Sequence, residues 1–214
     1  MTARERILSR LREARPPFAD VEPIAERRNM IPRQELTSRE LLDQFMDAAE
    51  ALGCFVYELD RGGAIEQIMD LLDGDKSVLS WDEAHLPLND LHGALASLGV
   101  SVARHNSGDV RVGLTGVNAA LAATGSLVLE SGAGRYRGAS LLPDLHIALL
   151  RADQILPDLE GWTAMQAERD QAAFRHASNT VIVSGPSKTA DIGHQLVKGA
   201  HGPRELHILI LPPA

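Results

Sequence analysis

The sequence contains a single cysteine, Cys54, in 214 residues. That count excludes an intramolecular disulfide, a four-cysteine zinc site, and any iron–sulfur cluster held by this chain alone. Aromatic residues make up only 4%, too few for the stacking platforms that bind single-stranded bases. Positive charge is in deficit, and the net charge of −8 argues against nonspecific nucleic-acid binding, where lysine and arginine must neutralise phosphates. No run of about 18 apolar residues occurs, so no transmembrane helix is expected. The opening Met-Thr-Ala-Arg-Glu-Arg lacks the apolar core of a secretory signal, and a cytoplasmic protein is the default expectation. The eight histidines show no H-x-x-x-H or H-E-x-x-H spacing, so no metal site is expected.

What is present is an ordinary globular composition, 44% hydrophobic and 23% charged, of a length that suits one large domain or one domain with an arm. Charge is unevenly placed. Residues 1–39 hold nine arginines against six acidic residues, a local balance of +3 that leaves −11 on residues 40–214. A basic arm on an acidic body suits docking onto an acidic partner or a second copy of the chain; the plainer reading, a solvated helix and linker, is favoured. Residues 1–36 are assigned to this arm and 37–214 to the body. Within the arm, residues 3–14 place Ile7, Leu8 and Leu11 on one helical stripe. Pro16 to Pro32, with Pro17 and Pro23 between them, reads as an extended linker.

The body begins with a capping box, Thr37-Ser38-Arg39-Glu40, followed by Leu41, Leu42, Phe45, Met46, Ala49 and Leu52 at helical spacing up to Gly53. An alternation of strands and helices comes next. Strands are expected at 54–59, 77–81 and 100–104, and helices at 64–72 and 88–98. Such alternation indicates βαβ units and a mainly parallel sheet. The second half is richer in glycine. Strands are expected at 110–114, 126–130, 146–150, 180–184 and 206–211, with helices at 117–123, 159–175 and 189–197. No repeat of about 20–50 residues is present, which excludes solenoids and propellers.

Three glycine-rich or hydroxyl-rich stretches fall near expected strand ends, where ligands of open α/β sheets usually bind. In Leu114 to Ser126, Thr115 is placed to cap a helix, and the stretch ends in Thr124-Gly125-Ser126; it reads either as a pocket wall or as helix punctuation. In Ser131 to Ser140 the glycines at 132, 134 and 138 miss the dinucleotide fingerprint by one residue. Arg135 and Arg137 in that loop are each able to fork onto a carboxylate or phosphate, or to remain solvated. Ser184-Gly185-Pro186-Ser187-Lys188-Thr189 satisfies neither a Walker A motif nor a nucleophile elbow. A strand feeding a Ser/Thr-rich turn that opens a helix would instead form an anion site, with Lys188 supplying charge and Asp191 opposing it. His201, in the turn Gly199 to Pro203, is a candidate proton donor or acceptor.

Taken in order, Thr124-Gly125-Ser126, Gly134 to Arg137, Ser140 to Pro143, His146, Gly185 to Ile192 and His201-Gly202-Pro203 resemble the LUD-domain family over roughly residues 37–211. The resemblance implies an α/β fold of the NagB/RpiA/CoA-transferase-like type, a mostly parallel sheet with helices on both faces. It also implies a part in oxidising L-lactate to pyruvate together with partner proteins that carry the iron–sulfur clusters, with no cofactor in this chain. Three departures stand out: Ala123 replaces a glutamate that family members commonly carry, and Lys188 and Gly193 stand where arginine and glutamate are frequent. A missing glutamate weakens any reading as an acyl or CoA transferase, whose covalent mechanism in related folds uses one.

Three functions are compatible with these observations. The first is a subunit without redox centres that binds a small anionic ligand and iron–sulfur partners. The second is a stand-alone enzyme acting on a phosphorylated or CoA-linked substrate. The third is a binding module that works through the basic arm. The ligand-binding candidates are Thr115, Thr124, Gly125, Ser126, Arg137, Ser187, Lys188 and Thr189, with His201 as the catalytic candidate.

Overall fold

The computed structural model describes residues 2–14, 35–103, 109–191 and 195–213. The chain divides into two compact units, residues 1–34 and 35–214. In the first, α1 (Ala3–Glu13) is opened by a capping box between Thr2 and Glu5, and it leaves Ile7 and Leu11 exposed. The expected linker, from Pro16 to Pro32, lies outside the described residues.

The second unit begins with α2 (Ser38–Ala51), where the expected capping box is formed: the Glu40 carboxylate accepts from the Thr37 N–H at 2.8 Å, and the Thr37 hydroxyl accepts from the Glu40 N–H at 3.3 Å. The helix ends at Gly53, whose φ of 88° is cheap only for glycine. Next come β1 (Phe55–Glu58), α3 (Arg61–Leu72), β2 (Ser77–Ser80), α4 (Leu91–Ser97), β3 (Ser101–Ala103), β4 (Val112–Gly116), β5 (Ala119–Leu121), β6 (Ser126–Ser131) and β7 (Leu145–Arg151). The remainder comprises β8 (Ile155–Leu156), α5 (Leu159–Glu168), α6 (Ala172–Arg175), β9 (Asn179–Val183), β10 (Lys188–Asp191), β11 (Gln195–Lys198) and β12 (Glu205–Leu211). Arg104, expected to close the third strand, lies outside the described residues.

The architecture is α/β around a central six-stranded sheet in the order β1-β12-β7-β4-β2-β3, and every pairing in it is parallel. Strands buried on both faces should read as continuous apolar runs. Residues 206–211 (Leu-His-Ile-Leu-Ile-Leu) and 145–150 (Leu-His-Ile-Ala-Leu-Leu) are buried at every position. Phe45 of α2, Ile68 and Leu72 of α3, and Leu91 and Leu95 of α4 are fully buried in the same core as these strands. A second sheet of four strands, β8-β5-β6-β9, is mixed: β5 pairs parallel with β8, and β6 pairs antiparallel with β5 and β9.

Two expected helices are replaced by strands, and a third is split. Residues 117–123 contain β5 instead, because Ala119, Ala120 and Leu121 are all buried between neighbouring strands, and alanine's helix preference is small against that pairing. Residues 189–197 contribute to an antiparallel hairpin of β10 and β11, with Thr189 opposite Val197. The long helix expected over 159–175 breaks into α5 and α6, because Asp170 and Gln171 adopt left-handed backbone with φ of 50° and 58°. The Gln166 side chain then caps α6 through the Ala173 N–H at 3.0 Å.

Gly113 on β4 is a packing requirement. A Cβ there would lie 1.9 Å from the Ala139 carbonyl oxygen, which belongs to a short 3-10 turn (Arg137–Ser140) resting on the central strand. Gly113→Ala is therefore expected to lower the unfolding free energy by about 3 kcal/mol, the upper end of the usual cost of overpacking. Urea denaturation of the two proteins measures the difference, and a loss near zero would show that the turn yields freely.

Candidate functional site

The carboxyl ends of β2, β4 and β7 lie side by side in the parallel sheet, and the segments leaving the three strands converge there. After β2 the chain runs through Trp81 and Asp82 into a 3-10 turn, Glu83–His85. After β4 come Val117 and Asn118, and after β7 a 3-10 turn containing Gln154. Together with Arg135, Arg151 and Arg169 these segments enclose a cavity of about 310 Å³.

Each wall is tied down. Gln154 donates to the Val117 carbonyl at 2.6 Å and accepts from the Arg151 N–H at 2.8 Å, stapling the end of β4 to that of β7. Arg151 forms a two-pronged contact with Asp153, at 2.8 and 3.0 Å. The Asp153 carboxyl is held below its ordinary range, first by hydrogen bonds from Arg151. Arg135 donates through Nη1 to Glu130 at 3.0 Å, while its Nε is buried without a partner among the described residues. Asn118 accepts from the Glu130 N–H at 2.8 Å. Arg169 closes α5, and among the described residues it forms no ion pair. Three guanidinium groups against two engaged carboxylates make a cleft suited to an anion, since arginine presents donors in a planar fork.

The turn after β2 is anchored by Glu83, whose two carboxylate oxygens accept from the N–H groups of Leu91 and His92 at 2.7 and 2.9 Å. His92 faces Glu83 at 3.3 Å and Ser80 Oγ at 2.9 Å. In outline this is a nucleophile–base–acid relay. Ser80 is only 5% exposed, however, and its hydroxyl also reaches the Trp81 carbonyl at 2.8 Å, so the set serves to lock α4 to the end of β2.

A second cavity, about 440 Å³, opens at the ends of β1, β7 and β12. Its polar members are already committed: Glu58 pairs with Arg39 at 2.9 Å, and Asp60 accepts from the Gly63 N–H at 2.8 Å. The rest of its lining is aliphatic or proline, including Leu59, Ile210, Leu211, Pro212 and Pro213, so it offers little to orient a polar ligand.

None of the residues chosen from the sequence as ligand-binding or catalytic lines the arginine cavity. Thr115 is fully buried within β4 and caps no helix. Gly125, with φ of 62°, lets α2 approach: a Cβ would lie 2.3 Å from the Ala49 nitrogen. Thr124, Ser126 and Ser184 form a chain of hydroxyls at 2.9 and 2.8 Å. Arg137 is exposed at the start of its 3-10 turn.

The expected helix N-terminus behind Ser187 does not exist, because Lys188 and Thr189 open β10. Lys188 instead donates to the carbonyl of Leu52, the residue that ends α2. Beside it, burial pushes the Cys54 thiol up to about 11, with Lys188 acting in the other direction, so the thiol is protonated and unreactive near neutral pH. Ser187 and His201 do meet, through the His201 N–H and Ser187 Oγ at 3.3 Å, in a turn that also joins the Ser187 N–H to the Pro203 carbonyl at 2.8 Å. Of the two neighbouring arginines it is Arg135, not Arg137, that reaches the cavity. Arg151, Arg169 and His85 carried no sequence signal beyond their charge, and only Arg151 stands at the end of an expected strand.

Comparison with known proteins gives a consistent outcome. The LUD domain family matches residues 21–211. Lactate utilization protein C of Halalkalibacterium halodurans is 30% identical over 156 residues, covering 69% of this chain and 67% of that protein. An uncharacterised protein of Neisseria meningitidis serogroup B is 28% identical over 100% of this chain and 95% of its own length. Among solved structures, a DUF162 family protein from Deinococcus radiodurans superposes with a TM-score of 0.55 at 24% identity, covering 82% of this chain and 99% of that one.

Thr115 and His146 form a buried polar pair between β4 and β7, with Oγ1 and Nε2 2.9 Å apart. Burial without a carboxylate partner lowers the His146 pKa from 6.5 to about 4, so folding favours the neutral ring. The unfolded chain takes up a proton below about pH 6.5, and stability present above that pH is lost as pH falls toward 4. The loss is about 1.4 kcal/mol per pH unit, about 3 kcal/mol in total. Urea denaturation at pH 7 and pH 4 should show a wild-type loss larger than that of His146→Gln by about this amount; equal losses would contradict it.

Proposed function

The chain belongs to the LUD domain family, and from that membership we propose that it is a subunit of a lactate-utilisation system that binds a small organic acid. The observation that carries this reading is the cavity at the carboxyl ends of β2, β4 and β7, into which Arg135, Arg151 and Arg169 converge. A carboxylate is the simplest group that such a cleft satisfies, and the strand ends of a parallel sheet are where ligands of α/β folds are held. The relatives named lactate utilization protein C favour lactate or its oxidation product as the acid.

Oxidation of lactate to pyruvate removes two electrons and two protons. One buried cysteine leaves this chain without the thiolates that a four-cysteine cluster requires. In this reading, iron–sulfur partner proteins accept the electrons, and this subunit holds and orients the acid.

The test is calorimetric titration of the full chain with L-lactate, pyruvate and inorganic phosphate. Lactate or pyruvate binds, and Arg169→Ala weakens that binding about tenfold or more, as expected for losing a charge-assisted hydrogen bond. Lys188→Ala leaves the affinity unchanged, because Lys188 serves the end of α2. Organic-acid binding that survives Arg169→Ala but disappears in Lys188→Ala would move the site to the β10 hairpin and overturn the assignment.

A further inference from the structure

His85 lines the arginine cavity from the turn after β2, and two glycines determine where it stands. At Gly116, the last residue of β4, a Cβ would lie 2.3 Å from the His85 carbonyl oxygen, so the backbone of the 3-10 turn is able to rest directly on the strand end. At Gly134, with φ of 72°, a Cβ would lie 2.7 and 2.8 Å from Cδ2 and Nε2 of the imidazole and 2.9 Å from Asp82 Oδ2. The ring therefore occupies space that any other residue at 134 would claim. The two segments are also joined directly, the Asp82 N–H donating to the Gly134 carbonyl at 2.8 Å.

The turn is held from its other side as well. Glu83 is fixed to the first N–H groups of α4 at 2.7 and 2.9 Å, and the His85 N–H donates to the Asp82 carbonyl at 2.9 Å. His85 is thus an exposed ring on a backbone fastened at both ends. It contributes the only imidazole among the residues lining the cavity. An imidazole differs from the guanidinium groups around it in one useful respect. Arginine only donates, whereas a histidine ring nitrogen donates or accepts according to its tautomer.

We infer that His85 is the specificity-determining residue of this site, reading the oxygen on the carbon next to the bound carboxylate. The inference rests on the proposed binding of a small organic acid in the arginine cavity. The arginines recognise the carboxylate and are indifferent to the rest of the molecule. His85 accepts the hydrogen bond of a 2-hydroxyl group or donates to a 2-keto oxygen, and an acid lacking that oxygen leaves the ring with no partner in the cavity. The ligand class is accordingly a 2-hydroxy or 2-keto monocarboxylate, as distinct from a simple carboxylate of the same size.

The experiment compares L-lactate, pyruvate and propionate, titrated calorimetrically into the full chain and into His85→Ala, His85→Gln and Gly134→Ala. In the wild type, lactate or pyruvate binds about tenfold more tightly than propionate, the order of one hydrogen bond. His85→Ala brings that ratio close to one while propionate affinity stays the same, and His85→Gln, which keeps a donor and an acceptor, retains part of it. Gly134→Ala displaces the ring and lowers the ratio without removing any guanidinium group. If lactate, pyruvate and propionate bind alike in the wild type, or if the ratio survives His85→Ala, the assignment of His85 is overturned while the arginine site stands. If none of the three acids binds, the site and the inference fall together.

Discussion

The contact on which the candidate site depends is the close approach of backbone to backbone along β4. That strand is central in the sheet, and Val112 to Gly116 are all buried. Its two glycines leave room for main-chain atoms: the Ala139 carbonyl rests against Gly113, and the His85 carbonyl against Gly116. Any side chain at either place would have to overlap an oxygen. The first contact seats the loop that follows Arg135, and the second seats the turn that carries His85. Two walls of one cavity are thus set by residues that have no side chain at all.

The electrostatics of the cleft reflect a compromise. Three guanidinium groups lining one cavity repel one another, and a cleft with no counter-charge would hold them apart. Asp153 and Glu130 each engage one arginine from behind, orienting it while drawing off part of its charge. The exchange costs some of the field available to a ligand but fixes the forks before the ligand arrives, which reduces the ordering cost of binding. Arg169, at the end of α5, is the arginine with the fewest constraints, and losing it therefore disturbs the fold least.

Most of the parallel sheet was legible because buried strands are written as apolar runs and glycine or a capping box marks the helix ends between them. Residues 145–150 and 206–211 are examples, and Thr37 with Glu40 is the clearest boundary. In the second sheet β6 and β9 were legible, at 126–130 and 180–184, but β5 was not, for the same reason in reverse. Val-Asn-Ala-Ala-Leu-Ala-Ala at 117–123 contains no alternation, and alanine favours a helix locally; only pairing of Ala119–Leu121 with β6 and β8 makes it a strand. The turn at 184–189 carries residues suited to a helix start, yet Lys188 is drawn into a strand whose ammonium group ends α2. The site was legible only in outline. Strand ends were the right place to look, but Arg135 and Arg137 differ by two positions in a turn, and no local rule says which of them faces inward. Arg135 is the one whose backbone bridges to Gly132 and whose side chain meets Glu130.

The smaller sheet gives the cleft its second side. A parallel sheet alone would present strand ends to open space, with the turns after β2, β4 and β7 as a shallow rim. Here the chain leaves β4 and immediately enters β5, so Val117 and Asn118 join the two sheets across a connection of two residues. Asn118 binds the backbone of Glu130 on β6, and Glu130 in turn holds Arg135. β8 pairs with β5 and leads into α5, which ends in Arg169. The mixed sheet therefore stands as a buttress that carries two of the three arginines to the end of the parallel one, where Arg151 is already waiting on β7. A site assembled in this way requires both sheets to be in register before any ligand is met. Thr124, Gly125 and Ser126, which read as binding residues in the sequence, lie instead where the start of β6 meets Ser184 and α2.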